Sequence, residues 1–111
     1  PYAQAPVGQF RWKPPRPALQ WAGVRPATEF GPSCHQPRGR PGSIYLEQLP
    51  TLSEDCLSLN VWAAPKARKA PVMVWIHGGS LMAGSSSQSM YDGSELARRG
   101  IVVVSVNYRL G

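Results

Sequence analysis

VMVWIHGGSLMAG, residues 72–84, places a glycine pair one residue after a continuous apolar run. Such a run is typical of a strand covered on both faces in a parallel sheet. A second apolar run lies at 101–106, and between the two a helical pattern spans 95–99, with Asp92 or Ser94 as candidate caps and Gly100 as its stop. A strand, a helix and a strand predict a βαβ unit and therefore an α/β fold.

The segment upstream of this unit shows a different pattern. Leu57, Leu59 and Val61 alternate with Ser58 and Asn60, which predicts a half-buried strand. An exposed turn is predicted over 65–71. The sheet strands and the glycine loop are therefore expected within 51–111.

Residues 1–50 hold nearly all the prolines and show no sustained period of 2 or 3.6. We expect this half to be an irregular wrap around a neighbouring surface. A disordered linker normally carries fewer aromatic residues. The aromatic side chains are predicted to anchor the wrap; they are Phe10, Trp12, Trp21, Phe30 and Tyr45.

The chain has 111 residues, enough for one domain at most. It shows no start methionine and no targeting peptide. A strand-like run at its other end suggests truncation, and a parallel sheet needs helices on both faces. We therefore expect 1–111 to be a partial domain, incomplete at both ends, with most of the domain beyond Gly111.

The net charge is +6, from 12 basic and 6 acidic residues. A nucleic-acid module would need these positive charges clustered with exposed aromatic residues. The arginines are instead scattered among prolines or at the end of the predicted helix, so no nucleic-acid partner is expected. No apolar stretch approaches the ~20 residues of a membrane-spanning helix.

The two cysteines, Cys34 and Cys56, are weak evidence of a disulfide when taken alone. A structural zinc site wants four ligands, and His35 is the only nearby imidazole. No metal and no cofactor are expected.

The glycine pair Gly78-Gly79 allows the backbone to turn sharply at the carboxyl end of a strand and to direct N–H groups into open space. An oxyanion hole needs such donors, each worth about 3 kcal/mol. A plain turn or a phosphate cradle uses similar loops, but the phosphate-binding patterns GxxxxGK[ST] and GxGxxG are absent.

Five segments together resemble the type-B carboxylesterase/cholinesterase family, which has the α/β-hydrolase fold. They are the opening PYAQAPVG at 1–8, in which PYA and PVG match, FGPSCHQ at 30–36, SEDCLSLNVW at 53–62, PVMVWIHGG at 71–79 and NYRLG at 107–111. They run from end to end in the family's order. The resemblance implies an N-terminal fragment of such a protein.

The resemblance implies a serine hydrolase acting on small-molecule carboxylic esters. The backbone N–H groups of Gly79 and Ser80 would be oxyanion donors, and Gly78 would shape the turn. Ser80 departs from the commoner Gly or Ala, and its side chain is expected to narrow the acyl side. The nucleophile, base and acid are not in these residues, so the fragment alone is expected to be inactive.

The resemblance also implies a disulfide between Cys34 and Cys56, which points to a secreted or periplasmic protein. It further implies a structural salt bridge between Arg11 and Glu54. If that pair were buried, breaking one side would cost about 3–5 kcal/mol.

His77 precedes the glycines and is predicted to be structural rather than a general base. None of the serines sits in G-x-S-x-G, the nucleophile motif of α/β-hydrolases. The alternative function is a non-catalytic, neuroligin-like adhesion or scaffold protein, which keeps the fold without the nucleophile. The residue at the downstream elbow would separate the two, and the oligomeric state is not predicted.

Overall fold

The computed structural model describes residues 1–37, 49 and 51–111. Tyr45, one of the predicted anchors, lies outside the described residues, as do Arg38 and Arg40. In chain order the described elements are a 3-10 helix at Gly8–Phe10, strands β1 (Leu59–Trp62) and β2 (Val72–Ile76), a 3-10 helix at Ser89–Tyr91, helix α1 (Ser94–Arg98) and strand β3 (Val102–Val106).

The three strands form one sheet with the order β1-β3-β2. β2 and β3 are parallel, with Val72 opposite Val102, and β1 runs antiparallel to β3, with Leu59 opposite Val106. The helix α1 packs on β3. The predicted α/β arrangement, two parallel strands joined through a short helix, is confirmed.

The ends of α1 follow from its flanking residues. The Asp92 carboxylate accepts the Ser94 N–H at 2.7 Å, and hydrogen bonds from the Ser94 side chain and backbone lower the pKa of Asp92. The N-cap residue is nevertheless Gly93, and no side-chain hydrogen bond caps the helix, so the prediction of Asp92 or Ser94 as the cap is wrong. At the other end Gly100 has φ +87°, and the N–H of Ile101 reaches back to the Leu96 carbonyl at 3.1 Å. This is the glycine-terminated geometry that the sequence predicts.

The layers predicted to cover both faces of β2 are not found among the described residues. Val72, Val74 and Ile76 are all exposed, the last at 66%. β2 lies at the edge of the sheet, and no layer among the described residues covers this face. β3 is central, and its Val103 and Ser105 are buried.

β1 is half-buried, as predicted, but its Leu59 and Val61 do not lie on the inward side. Leu59 and Val61 are exposed, whereas Asn60 and Trp62 are partly covered. The reason is polar pairing, because the Asn60 amide donates to the hydroxyls of Ser86 and Ser105, at 3.1 and 3.0 Å.

In residues 1–37 the only helix is the single 3-10 turn, and isolated bridges tie the wrap down. The anchoring prediction is wrong for Trp12, which is 76% exposed, and for Trp21. Each ring instead carries an arginine from its own segment, Arg11 over Trp12 and Arg25 over Trp21. Arg11 and Arg25 therefore lie against exposed aromatic rings. From the sequence, the arginines were not expected to cluster with exposed aromatic residues.

The apolar core of the described chain lies where the wrap meets the start of β1. It consists of Ala3, Cys34, Cys56 and Leu57, with Leu110 packed against it. Phe30 approaches Trp62 with ring centroids 6.2 Å apart. The wrap is thus attached to the sheet through a few short segments.

Candidate active site

The loop after β2 turns at Gly79, where φ is +118°. A Cβ on this residue would lie 1.9 Å from the Ala83 carbonyl oxygen, so only glycine fits. The Gly79 carbonyl accepts the N–H groups of Met82 and Ala83, at 3.0 and 3.1 Å. These bonds close a tight turn at the carboxyl end of the strand.

Ser80 and Leu81 follow with φ of +55° and +62°. The left-handed conformation costs a residue with a side chain about 1–2 kcal/mol. Gly78 is not in this region, and a Cβ on it would meet open space. In the structure the turn therefore depends on Gly79, Ser80 and Leu81 rather than on Gly78.

The backbone N–H groups of Gly79 and Ser80 are candidate donors at this turn. Among the described residues, neither N–H donates to any acceptor. Both residues are exposed. Two consecutive donors are therefore available to an acceptor from outside the described chain.

His77 is buried and lies between the strand and the turn. Its ring stacks on Tyr108 with centroids 4.4 Å apart, and its Nδ1 lies 2.8 Å from the Gly78 carbonyl oxygen. The Tyr108 hydroxyl donates to the His77 carbonyl at 2.7 Å. These contacts give His77 the packing role that the sequence suggested.

A network of buried serines and asparagines holds the second half of the loop. Asn107 accepts the Ser86 N–H at 2.8 Å and donates to the Pro32 carbonyl at 3.1 Å. The Ser105 hydroxyl donates to the Ser86 carbonyl, and the Ser33 hydroxyl donates to the Ser85 hydroxyl. In the described residues, every buried side-chain nitrogen or oxygen has a hydrogen-bond partner.

This network was not predicted from the sequence, because Ser85 and Ser86 were considered only as candidate nucleophiles. A signal was present, since Ser105 interrupts the apolar run of β3 and Asn60 interrupts that of β1. A polar residue inside an apolar strand usually needs a partner when it is buried.

Gln36 was also missed. Its side-chain amide pairs twice with the backbone of Gly84, accepting the N–H at 2.8 Å and donating to the carbonyl at 2.9 Å. It also donates to the Cys34 carbonyl at 3.1 Å. Nothing in the local sequence indicates a contact across 48 positions.

Cys34 and Cys56 form a disulfide, and both are buried. Arg11 and Glu54 form an ion pair at 3.1 Å, but their side chains are 56% and 37% exposed. An exposed pair contributes at most about 1 kcal/mol, so the cost expected of a buried pair does not apply. These four residues border one open cleft, which does not include Gly79 or Ser80.

The sequence profile described as "Carboxylesterase family" matches residues 1–111. The chain belongs to the carboxylesterase family. The match covers every segment on which the resemblance was based, including the loop that bears Gly79 and Ser80. The predicted family is confirmed.

Individual carboxylesterases agree with this assignment. The para-nitrobenzyl esterase of Bacillus subtilis (strain 168) is 50% identical over 113 residues, a match that covers 100% of this chain and 23% of that protein. The cholinesterase of Mus musculus is 47% identical over 118 residues, covering 100% of this chain and 20% of that protein.

A solved structure of a PNB esterase superposes with a TM-score of 0.90 at 49% identity, covering 100% of this chain and 23% of that one. The predicted fold class, part of an α/β-hydrolase, is confirmed. The carboxylesterase chain described here therefore spans less than a quarter of the length of each of these proteins.

The described residues contain no helix long and apolar enough to cross a membrane. They also contain no cluster of three or more His, Cys, Asp or Glu side chains placed to hold a metal ion.

Proposed function

We propose that the full protein is a serine hydrolase of carboxylic esters, in which the backbone N–H groups of Gly79 and Ser80 bind the oxyanion. The observation that carries the proposal is the pair of undonated N–H groups at the Gly79 turn. The family's esterases supply the reaction class, since relatives 50% and 46% identical are a para-nitrobenzyl esterase and a fumonisin B1 esterase.

The reaction has two steps. A serine hydroxyl on a nucleophile elbow elsewhere in the protein attacks the ester carbonyl carbon, and a histidine supported by an acid takes its proton. Negative charge then develops on the carbonyl oxygen, where preformed N–H donors stabilise it. The alcohol leaves with a proton from the histidine, and water hydrolyses the acyl-enzyme in the same way.

The described chain contributes the oxyanion donors and part of the surface around them. Leu81 and Met82 are exposed next to the turn and offer apolar contact to an ester. The Ser80 side chain is expected to narrow the acyl side. The substrates of the proposal are therefore small-molecule carboxylic esters.

The compartment is also part of the proposal. Disulfides persist in oxidising environments, and Cys34 and Cys56 are joined by one. A secreted or periplasmic location fits this bond.

The test is to express the complete open reading frame and to assay it against a short-chain p-nitrophenyl ester. Hydrolysis that disappears when the elbow serine is replaced by alanine is the expected result. A folded protein without turnover, or a frame without that serine, would instead favour the adhesion or scaffold function. No observation in the described residues favours that second function.

A further inference from the structure

We propose that Gln36 is a positioning residue for the oxyanion turn, acting through the backbone of Gly84. The inference rests on the proposed function, because it concerns the same two N–H donors. It adds a residue that lies 43 and 44 positions before Gly79 and Ser80 in the sequence.

The Gln36 amide satisfies both backbone groups of Gly84, the N–H at 2.8 Å and the carbonyl at 2.9 Å. Two parallel hydrogen bonds fix both the position and the orientation of a peptide segment, as neighbouring strands do in a sheet. Gly84 therefore cannot shift or rotate without breaking at least one of them.

Ala83 and Gly84 lie against the residues that form the turn. A Cβ on Gly84 would lie 2.4 Å from His77 Nδ1 and 2.6 Å from the Gly78 carbonyl oxygen, so its backbone packs closely on the entry of the turn. The preceding residue, Ala83, has its carbonyl at the position that a Gly79 side chain would occupy. Residues 83 and 84 thus form the inner wall of the turn.

The turn contains two residues whose conformations need support from their surroundings. Ser80 and Leu81 hold left-handed conformations that residues with side chains avoid. Such conformations persist only where the surroundings impose them. The Leu81 carbonyl accepts the Gly111 N–H at 3.0 Å, which holds one side. Gln36 holds Gly84, at the end of the loop that follows these residues.

The base of this support is rigid. Gln36 also donates to the Cys34 carbonyl, and Cys34 is buried and disulfide-bonded to Cys56. Ser33, next to Cys34, exchanges backbone hydrogen bonds with Thr51 and Ser53. The amide of Gln36 is therefore anchored to the covalently closed part of the wrap.

The experiment compares Gln36→Met with Gln20→Met in the full-length protein. Methionine matches the length of glutamine without its hydrogen bonds, and Gln20 is an exposed glutamine of the same wrap. The readouts are kcat and KM for a p-nitrophenyl ester, and the Kd of a trifluoromethyl ketone, which forms an oxyanion on the enzyme.

For Gln36→Met we expect kcat to fall about 10- to 100-fold, because displaced donors lose transition-state stabilisation. KM should stay within about twofold, since the donors act chiefly in the transition state. The Kd of the ketone should rise by the same factor as kcat falls. Gln20→Met should leave all three values unchanged.

A Gln36→Met protein with a lowered Tm but wild-type kcat and ketone affinity would overturn the proposal, because Gln36 would then be only structural. If Gln36→Met does not fold, Gln36→Glu decides, since it keeps an acceptor for the Gly84 N–H and loses the donor. A partial loss of kcat supports the proposal, and wild-type kcat overturns it. A wild-type protein without turnover overturns the proposed function itself, and the positioning role with it.

Discussion

Gly79 is the residue at which backbone geometry and proposed chemistry coincide. Its φ of +118° and the 1.9 Å approach of the Ala83 oxygen leave no room for a methyl group. We expect Gly79→Ala to lower kcat/KM of the full-length protein at least about 100-fold, the effect of losing one oxyanion donor. Steady-state kinetics with a p-nitrophenyl ester measures this loss.

Gly78→Ala is the matched comparison, because a Cβ at Gly78 meets open space among the described residues. The loss of kcat/KM in Gly78→Ala should be much smaller than the loss in Gly79→Ala. Equal losses in the two variants would contradict the view that the turn depends on Gly79.

Tyr2 provides a second test on a single side chain. Its hydroxyl donates to the Asn107 carbonyl at 2.8 Å, and partial burial raises its pKa, against a smaller lowering by Arg109. Tyr2→Phe should reduce the free energy of unfolding of the full-length protein by about 1 kcal/mol at pH 7. Urea unfolding measures the difference.

The raised pKa fixes how this difference varies with pH. The neutral phenol is favoured in the folded state, so its contribution is fully present below the ordinary pKa of 10.0. It is lost as the pH rises through the higher folded value. The gap between Tyr2→Phe and wild type should therefore narrow above pH 10, and a gap that widens there would contradict this assignment.

Single residues differ in how well the sequence predicts them. The Cys34 and Cys56 partnership and the Arg11 and Glu54 pairing were expected only from the family resemblance. The contact of Gln36 with Gly84 was not expected at all. A side-chain amide that binds backbone 48 positions away leaves no periodic signal, because its partner is a main-chain group present at every residue.

Among the elements, the disulfide is the strongest link between the wrap and the sheet. It joins residues 22 positions apart. Closing this loop restricts the unfolded chain, which stabilises the folded protein by about 3 kcal/mol. Replacing both cysteines by serine should destabilise the full-length protein by about this amount, as measured by thermal or urea unfolding. A double variant as stable as wild type would show that the surrounding contacts suffice.

The strands show which part of an element is encoded locally. Apolar runs placed β2 and β3 nearly at their observed bounds, Val72–Ile76 and Val102–Val106. The inward side of β1 was not predictable from alternation. Asn60 turns inward because serines of the loop and of β3 meet it there, and those partners come from distant segments.

At the scale of the molecule, the sheet of this chain presents apolar side chains to solvent on both outer strands. They include Leu59 and Val61 on β1, and Val72, Val74 and Ile76 on β2. Soluble proteins rarely leave a contiguous apolar surface of this kind open. The relatives that match this chain are four to five times its length, since it covers 20–23% of them.

This surface predicts how residues 1–111 behave when produced alone. We expect them to bind a hydrophobic dye such as ANS and to self-associate, because the exposed strands β1 and β2 lack a covering layer. They should show no ester hydrolysis, since no serine here lies in the G-x-S-x-G motif. The full-length protein is the control in both assays. Turnover by 1–111 would mean that this chain itself holds a nucleophile, and the oxyanion role proposed for the Gly79 turn would then have to be assigned around that group.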